Sequence, residues 1–542
     1  VSAPLRSAIF AAVLLALGAS GLPAAETGVA EPADPEIVLP PIILEIEDLS
    51  VERVEAKLPP EEELLPPARE VPLVDVGDLV IADPSVPTST GAAAGASAGL
   101  RDRFVAAEVE LGAGMLNHVI GSVALKTLGG VPRFSLDFTH ETMEGFSAVP
   151  LAPGYSRRTD ELAGSLTLTP GVFDLGLSGS FVEGEYGLQG KGSQFLTRLG
   201  RSIGVEAAAS ARALEWLTVA AALALGSDSV TLEGPSALQR QSEYRIAPSL
   251  TLDARFKKVR FGLSARYAFR SSTPGGGSQL HRFTTGLAFG VDLASSLLLD
   301  GSVGWYGSSA GASLVPFEIR LTGTPFPFLT LAAGGGFRVT PLDMRDVLAV
   351  NPFIEPAVPA DDSGWFADAS LRFTFMKDLS ASARATVASS TAMLDADPTT
   401  VLLTGLFPLA QRQGLRLSTE AGMRWGITQE MSLSASLAHE WLPLAALIPV
   451  DRVLVELAGL QAAGRWGWNL SLDFDVPAPL AGRAAQLPVV SASGFLAVSE
   501  VVTLQLGAAD LLGPLLPGGT RIDVGTYGKP GFRLTGSVKM SF

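Results

Sequence analysis

The sequence predicts an all-β fold, a membrane-spanning up-and-down antiparallel β-barrel of about 22 strands within a range of roughly 18 to 24, behind an extended proline-rich N-terminal tail. Three observations carry this. First, 47% of the chain is hydrophobic and only 17% charged, with a mean hydropathy of +0.33. Yet beyond the N-terminus there is no unbroken apolar run of the roughly 20 residues a membrane helix needs. Second, from residue 101 onward apolar and polar residues alternate with period two. Third, tight turns alternate with longer links, the asymmetry expected of membrane barrels.

Residues 1–25 read as a signal peptide. Arg6 gives a short positive start, AIFAAVLLALG (8–18) gives an apolar core too short to span a bilayer, and small residues near Ala24 and Ala25 suit cleavage. Residues 26–100 form an acidic tail and linker expected in the periplasm. They hold 16 acidic and 3 basic residues, a net −13 out of the chain's −16, which leaves −3 for the rest. Prolines such as Pro40, Pro41, Pro59, Pro60, Pro66 and Pro67 remove backbone donors and disfavour a compact sheet or helix. Short strand-like pieces remain at Ile42–Ile46 and Val71–Ile81, and the small-residue stretch TSTGAAAGASAGL ends the segment.

Residues 101–542 form the barrel. In the segment from Ser242, Tyr244, Ile246, Leu250, Leu252 and Phe256 share one face, while Arg245, Ser249, Thr251, Asp253 and Arg255 share the other. A turn at Lys257-Lys258 returns the chain, with Val259, Phe261, Leu263, Ala265, Tyr267 and Phe269 opposite Arg260, Ser264, Arg266 and Arg270. Successive strand side chains point to opposite faces, so one face suits lipid and the other water. The same alternation recurs around Phe283–Leu293, Ala367–Phe375, Leu415–Ile427 and Trp468–Phe474. Tight joints fall at Gly129-Gly130, Pro170-Gly171, Ser295-Ser296, Lys377-Asp378, Gln429-Glu430 and Ser499-Glu500. Longer links span 343–363, 394–414, 444–452 and 513–530. Most of the seven tryptophans sit near strand ends, as an interfacial belt requires.

Charges on the polar face belong in a water-filled lumen, because in hydrocarbon each would cost several kcal/mol, about 2–4 for Arg or Lys at mid-depth. The lumen-lining set is Arg245, Arg255, Arg260, Arg266, Arg270, Asp292, Asp368, Arg372, Arg416, Glu420, Arg424, Asp473, Asp475 and Arg533. Cross-strand ion pairs that stiffen the wall are the simpler reading. An electrostatic lining that selects solutes is the functional one, and the run Arg255, Arg260, Arg266, Arg270 favours anions.

The chain has no cysteine, which excludes disulfides, thiol catalysis, Cys-ligated metals and a lipoprotein anchor. No basic face suits nucleic acid. His140 lies near Asp137, Glu141 and Ser135, but solvated polar groups at strand ends account for them. TPGGGSQ (Thr273–Gln279) and AAGGGFR (Ala332–Arg338) lack the helix and Lys-Ser/Thr of phosphate loops. No catalytic set, cofactor or metal site is predicted.

At the C-terminus, Phe532, Leu534, Val538, Met540 and Phe542 alternate with Arg533, Thr535, Ser537, Lys539 and Ser541. This resembles the closing-strand signature of bacterial outer-membrane proteins, in which a terminal Phe ends an alternating strand. The resemblance implies that Val538, Met540 and Phe542 form the signal read by the barrel-assembly machinery, and that the wall faces outer-membrane lipids. A barrel of this size also resembles those of TonB-dependent transporters and porins. The former carry a globular plug larger than residues 26–100, and PEIVLPP (Pro35–Pro41) is only faintly similar to their TonB-pairing box.

Two functions follow from different features. A pore or transporter for small solutes follows from the large strand number and polar lumen. A structural or assembly role follows from the acidic tail, which docks a periplasmic protein by strand addition or folds back into the lumen. The apolar loop pieces VLLTGLFPLA (401–410) and LPLAALIPV (442–450) either bind hydrophobic substrates or cap the lumen.

Overall fold

The computed structural model describes residues 105–542 apart from 130–131, 147–153, 236, 274–277, 377, 443–444, 462–463, 479–484, 517–520 and 523–526. The signal peptide and the acidic tail, with its docking and plugging readings, lie outside the described residues. Among those described there are 25 strands. Three of them, β12 (Ser313–Leu314), β23 (Arg521–Ile522) and β24 (Gly528–Lys529), are two-residue pairings in loops. The other 22 form the wall.

The wall begins with β1 (Val105–Gly114), β2 (His118–Thr127), β3 (Arg133–Glu144), β4 (Ser156–Leu168), β5 (Phe173–Gly187), β6 (Thr197–Leu214), β7 (Leu217–Glu233) and β8 (Leu238–Phe256). It continues through β9 (Val259–Thr273), β10 (Ser278–Ala294), β11 (Leu297–Ser308), β13 (Phe317–Phe326), β14 (Leu329–Thr340), β15 (Asp362–Met376) and β16 (Leu379–Ala396). It ends with β17 (Leu409–Gly426), β18 (Met431–Glu440), β19 (Asp451–Leu460), β20 (Trp466–Val476), β21 (Val489–Ala497), β22 (Val502–Ala509) and β25 (Arg533–Ser541). Each strand pairs antiparallel with its neighbours in sequence, and β25 pairs with β1. Closure leaves the wall no free edge.

The seam holds the C-terminal signature. Phe542 exchanges two backbone hydrogen bonds with Ala107, at 2.8 and 3.1 Å. On the inward side Lys539 pairs with Glu108 at 2.6 Å, and the Ser537 hydroxyl donates to Glu110 at 2.7 Å.

The tight joints Pro170-Gly171, Lys257-Lys258, Ser295-Ser296, Gln429-Glu430 and Ser499-Glu500 fall on one rim, the rim that also carries the first residue of β1 and the last of β25. Lys257 takes a positive φ of 41° there, which a two-residue hairpin turn demands. The opposite rim carries the long links, including one helix, α1 (Met344–Val350). Outside, the wall is apolar between two aromatic rows. Trp216–Phe256, Phe326–Phe328 and Phe373–Phe375 stack at the turn rim; Phe283–Trp305 and Phe317–Trp365–Phe337 cluster toward the loop rim. Trp365 and Phe375 bracket β15, about 33 Å of extended chain or roughly 25 Å of height at barrel tilt, which matches the apolar band of an outer-membrane barrel.

Some strands outgrow that band. On the outward face at the loop end of β3–β6, His140 bonds Asp160 at 2.5 Å. Arg158 links Asp160 (2.7 Å) to Glu183 (2.8 Å), and Arg201 reaches Glu183 at 2.5 Å. Charges on this face belong above the hydrocarbon. The neighbours grouped with His140 in the sequence separate here: Asp137 and Glu141 point inward, Glu141 to His118 at 2.9 Å, and Ser135 bonds Ser165 at 2.8 Å.

Candidate functional site: the loop-closed mouth

Near the turn rim the inward faces are polar and accessible. Asp137, Asp253, Arg255, Arg260, Arg266, Asp292, Arg372 and Arg424 are exposed there. Arg260 meets Asp300 at 3.1 Å, whereas Arg255, Arg266, Arg372 and Arg424 form no ion pair among the described residues. Midway up, Asp368 is buried between Arg320 (2.9 Å), which reaches it from β13 across Gly334 of β14, and Arg384 (3.7 Å), two positions along on β16. Glu420 lies opposite Arg384 on β17. Arg416 clamps Glu440 of β18 through Nε at 2.8 Å and through Nη2. Arg452 lies between Asp473 (3.9 Å) and Asp475 (3.6 Å). Arg533 contacts Met143 across the lumen-side face of the seam region.

Toward the loop rim the interior closes. Three arginines stand side by side on adjacent strands: Arg245 on β8, Arg270 on β9 and Arg282 on β10. Three like charges on neighbouring strands repel one another, so this wall needs an acidic partner. The link 341–361 supplies it by folding inward. Asp343 accepts from Arg282 Nη1 at 2.6 Å and from Arg245 Nη1 at 2.9 Å, and lies 3.5 Å from Arg270. Asp361 accepts from Arg282 Nε at 3.1 Å, from Arg282 Nη2, from the Tyr306 hydroxyl of β11 and from the Leu342 backbone N–H at 3.1 Å. The Leu342 carbonyl accepts from Arg270 and Arg282, both at 2.7 Å. The far side of Arg245 donates to buried Asp228 at 3.1 Å, and Asp228 accepts from Ser202 at 2.5 Å. Both ends of the link are thus bound to the barrel wall by bidentate or shared guanidinium contacts, the strongest class of hydrogen bond available.

Helix α1 starts at this latch. The Met344 N–H donates to Glu243 at 3.2 Å and the Asp343 N–H to Asp346 at 2.6 Å. In the link, burial works to raise the Asp343 carboxyl, but the hydrogen bond and charge of Arg282, with the charge of Arg245, outweigh it and hold it below the usual carboxylate range. Asp346 goes the other way: burial pushes it up, and the nearby Asp343 charge adds to the rise.

An apolar cluster completes the closure. Met344, Val347, Phe353 and Ile354 of the link pack on Val230 and Leu232 of β7, on Leu188 and Phe195, on Leu406 and Phe407, and on Tyr527. Phe353 stacks on Tyr527 at 3.8 Å and meets the edge of Tyr186 at 6.1 Å. The Tyr527 hydroxyl donates to the Gly405 carbonyl, and Gln189 exchanges two 2.9 Å bonds with Gly528. A register shift in β16 at Ser390–Met393 precedes Asp395, which is fully buried and accepts from Arg412 (2.8 Å) and from the N–H groups of Ala446 (2.9 Å) and Leu447 (3.1 Å). Arg521 clamps Asp510 at 2.7 and 2.9 Å and reaches the Leu487 carbonyl at 2.6 Å. Links from six places along the chain therefore interlock over the lumen. Within the apolar pieces at 401–410 and 442–450, Leu406, Phe407, Ala445 and Ala446 are buried.

Sequence alternation placed Arg245 and Arg270 in the lumen but gave no partner for them. Arg282, Asp343, Asp361 and Tyr306 are the residues that reasoning did not assemble. Arg282 shares the polar parity of β10, but its partners lie 61 and 79 residues away, beyond any local pattern. Among the described residues, no three His, Asp or Glu side chains converge as metal ligands do.

No family model and no curated protein sequence matches the chain. Solved structures do. The copper transporter OprC shares the fold at a TM-score of 0.63 and 14% identity over 81% of each chain. The FrpB iron transporter of Neisseria meningitidis (F3-3 variant) matches at 0.62 and 9% identity over 82% of each. The siderophore receptor PiuA of Acinetobacter baumannii matches at 0.61 and 10% identity, over 81% of this chain and 82% of that one. At these identities the likeness is one of architecture, that of a bacterial outer-membrane β-barrel.

Proposed function

We propose that this protein is an outer-membrane transporter for small polar solutes, closed at its loop rim by its own links and opened when the link 341–361 leaves the arginines of β8–β10. The observation that carries this is the latch: Asp343 and Asp361 gripped by Arg245, Arg270 and Arg282 above an accessible, charged lumen. A wall built only as an anchor has no need of a charged interior that is watered at one end and latched at the other. The fold shared with copper, iron and siderophore transporters supports transport. The apolar outer band would sit against outer-membrane lipid, and β25 with Phe542 is where the barrel-assembly machinery would engage the chain. Lumen residues such as Arg255, Arg266, Arg372 and Arg424, which form no ion pair among the described residues, would set solute charge preference.

The test is conductance of the full-length protein refolded into planar bilayers. The wild type is expected to stay mostly shut, and the double variant Asp343→Asn/Asp361→Asn to show sustained openings. A double variant that folds and conducts no more than wild type would sink the gate.

A further inference from the structure

Among the described residues, three arginines hold both oxygens of a carboxylate by the same edge of the guanidinium, Nε–H and Nη2–H side by side. They are Arg521 on Asp510, Arg416 on Glu440 and Arg282 on Asp361. Arg198 offers that edge to nothing. Its Nε and Nη2 are buried with no hydrogen-bond partner, it forms no ion pair among the described residues, and the residue is 2% exposed. On the neighbouring strands it faces Tyr186 of β5 and Leu232 of β7. Beyond Tyr186, β4 brings two more buried unpaired groups, Arg157 Nε and Thr159 Oγ1. The Arg157 guanidinium carbon is 5.8 Å from the centre of the Tyr186 ring. A buried charge with no counterion costs more than almost any other defect in a folded protein, and such groups persist where something outside the static fold satisfies them.

We propose that Arg198 is the receptor for a carboxylate group on a solute, covered while the mouth is closed and uncovered when the link 341–361 lifts. The cover is identifiable. Leu232 belongs to the apolar cluster that Met344, Val347 and Phe353 complete, and Tyr186 packs against it. Withdrawing the link strips the lid from both neighbours of Arg198. Tyr186 and Arg157 are already partly exposed and share the inward face with Arg198, so the uncovered guanidinium would face the lumen. A carboxylate offers two coplanar oxygens to the Nε/Nη2 fork, the arrangement the chain itself uses three times, and Thr159 and Arg157 supply further donors. Because the closed state leaves Arg198 unsatisfied and the open state lets it bind, a carboxylate binds the open state better and shifts the gate toward it. This rests on the gate reading above.

The test adds acetate, or chloride at matched ionic strength, to the full-length protein in planar bilayers. Acetate is expected to raise the open fraction of the wild type, by roughly thirtyfold at saturation if the pair has the worth of a buried charge pair, and chloride, which has no paired oxygens for the fork, is expected to do much less. Arg198→Lys keeps the charge without the fork and is expected to lose the acetate response. Arg198→Met, which removes the unpaired charge, is expected to shut more firmly than wild type. The proposal is overturned if chloride matches acetate, if Arg198→Lys responds as wild type does, or if acetate does nothing while Arg282→Ala opens the channel. That last result leaves the gate standing and removes only the receptor. If Arg282→Ala also stays shut, the gate itself fails and the receptor with it.

Discussion

The two ends of the lumen are built from the same strands and the same alternation, yet their arginines meet opposite conditions. Near the turn rim Arg255, Arg266, Arg372 and Arg424 stand exposed, with no ion pair among the described residues. Near the loop rim Arg270 and Arg282 are 5% and 4% exposed, and each is bound to a carboxylate or a carbonyl. Two-residue turns cannot reach into the lumen, whereas a link of some twenty residues such as 341–361 can. Parity decides which way a charge points; the length of the nearest connection decides whether it meets water or protein. Energetically the first group resembles surface charge, where pairing is worth about 0–1 kcal/mol. The second behaves as a buried network, where removing one member costs several times more.

The sharpest way to break this contrast is Arg282→Ala. It leaves Asp361 without a cation and takes from Asp343 the nearest of its three arginines, and is expected to weaken closure by about 3–5 kcal/mol, read as a large rise in open fraction in single-channel records. Phe353→Ala comes next. It removes the ring stacked on Tyr527 and is expected to loosen the link by about 3 kcal/mol, read as faster protease cleavage within 341–361 of the folded protein. If cleavage stays at the wild-type rate, the apolar cluster contributes less to closure than the latch geometry implies.

Acidification gives a smaller effect with a turning point. Asp346 titrates above its ordinary value, so its burdened charge is relieved as pH falls through that raised value, and closure strengthens. Asp343 titrates below its ordinary value, so its contribution is complete above the unfolded carboxylate range and is lost only as pH falls through the depressed value. Open fraction against pH should therefore dip in mild acid and climb in strong acid, and Asp346→Asn should abolish the dip alone. The smallest effect belongs to the watered end. Arg266→Glu in the Arg282→Ala background is expected to change stability by no more than about 0.5 kcal/mol, while moving the reversal potential toward cation preference. A stability loss as large as that of Arg282→Ala would erase the difference between the two ends.

Most of the wall is legible in the sequence. The faces of β8 and β9, the turn at Lys257-Lys258 and the closing strand to Phe542 follow from period-two patterning, because a strand reports its two sides within a few residues. The fold of the links was not legible, since nothing local says that VLLTGLFPLA lies in a cap and not on a substrate. In sequence the run Arg255, Arg260, Arg266, Arg270 reads as one anion-favouring lining. It divides: Arg270 meets Asp343, Arg260 meets Asp300, and Arg255 and Arg266 have no ion pair among the described residues. Partners separated by 98 residues, as Arg245 and Asp343 are, leave no periodic trace. Arg198 shares its parity with Gly200 and Ser202 on β6, a pattern that marks it as inward but is silent on whether anything awaits it there.

The seam between β1 and β25 bears on how the molecule comes into being. Glu110 and Ser537, hydrogen-bonded across it, are 427 residues apart in sequence, so this contact cannot form until nearly the whole wall has been synthesised. Until then β1 presents one open row of backbone donors and acceptors, and the newest strand presents another. Raw edges of this kind recruit other chains, and contacts of such long sequence separation are slow to find. Any partly built wall that precedes closure therefore carries two raw edges in need of shelter. Loss of β25 would leave no smaller barrel behind, only a sheet with two adhesive borders.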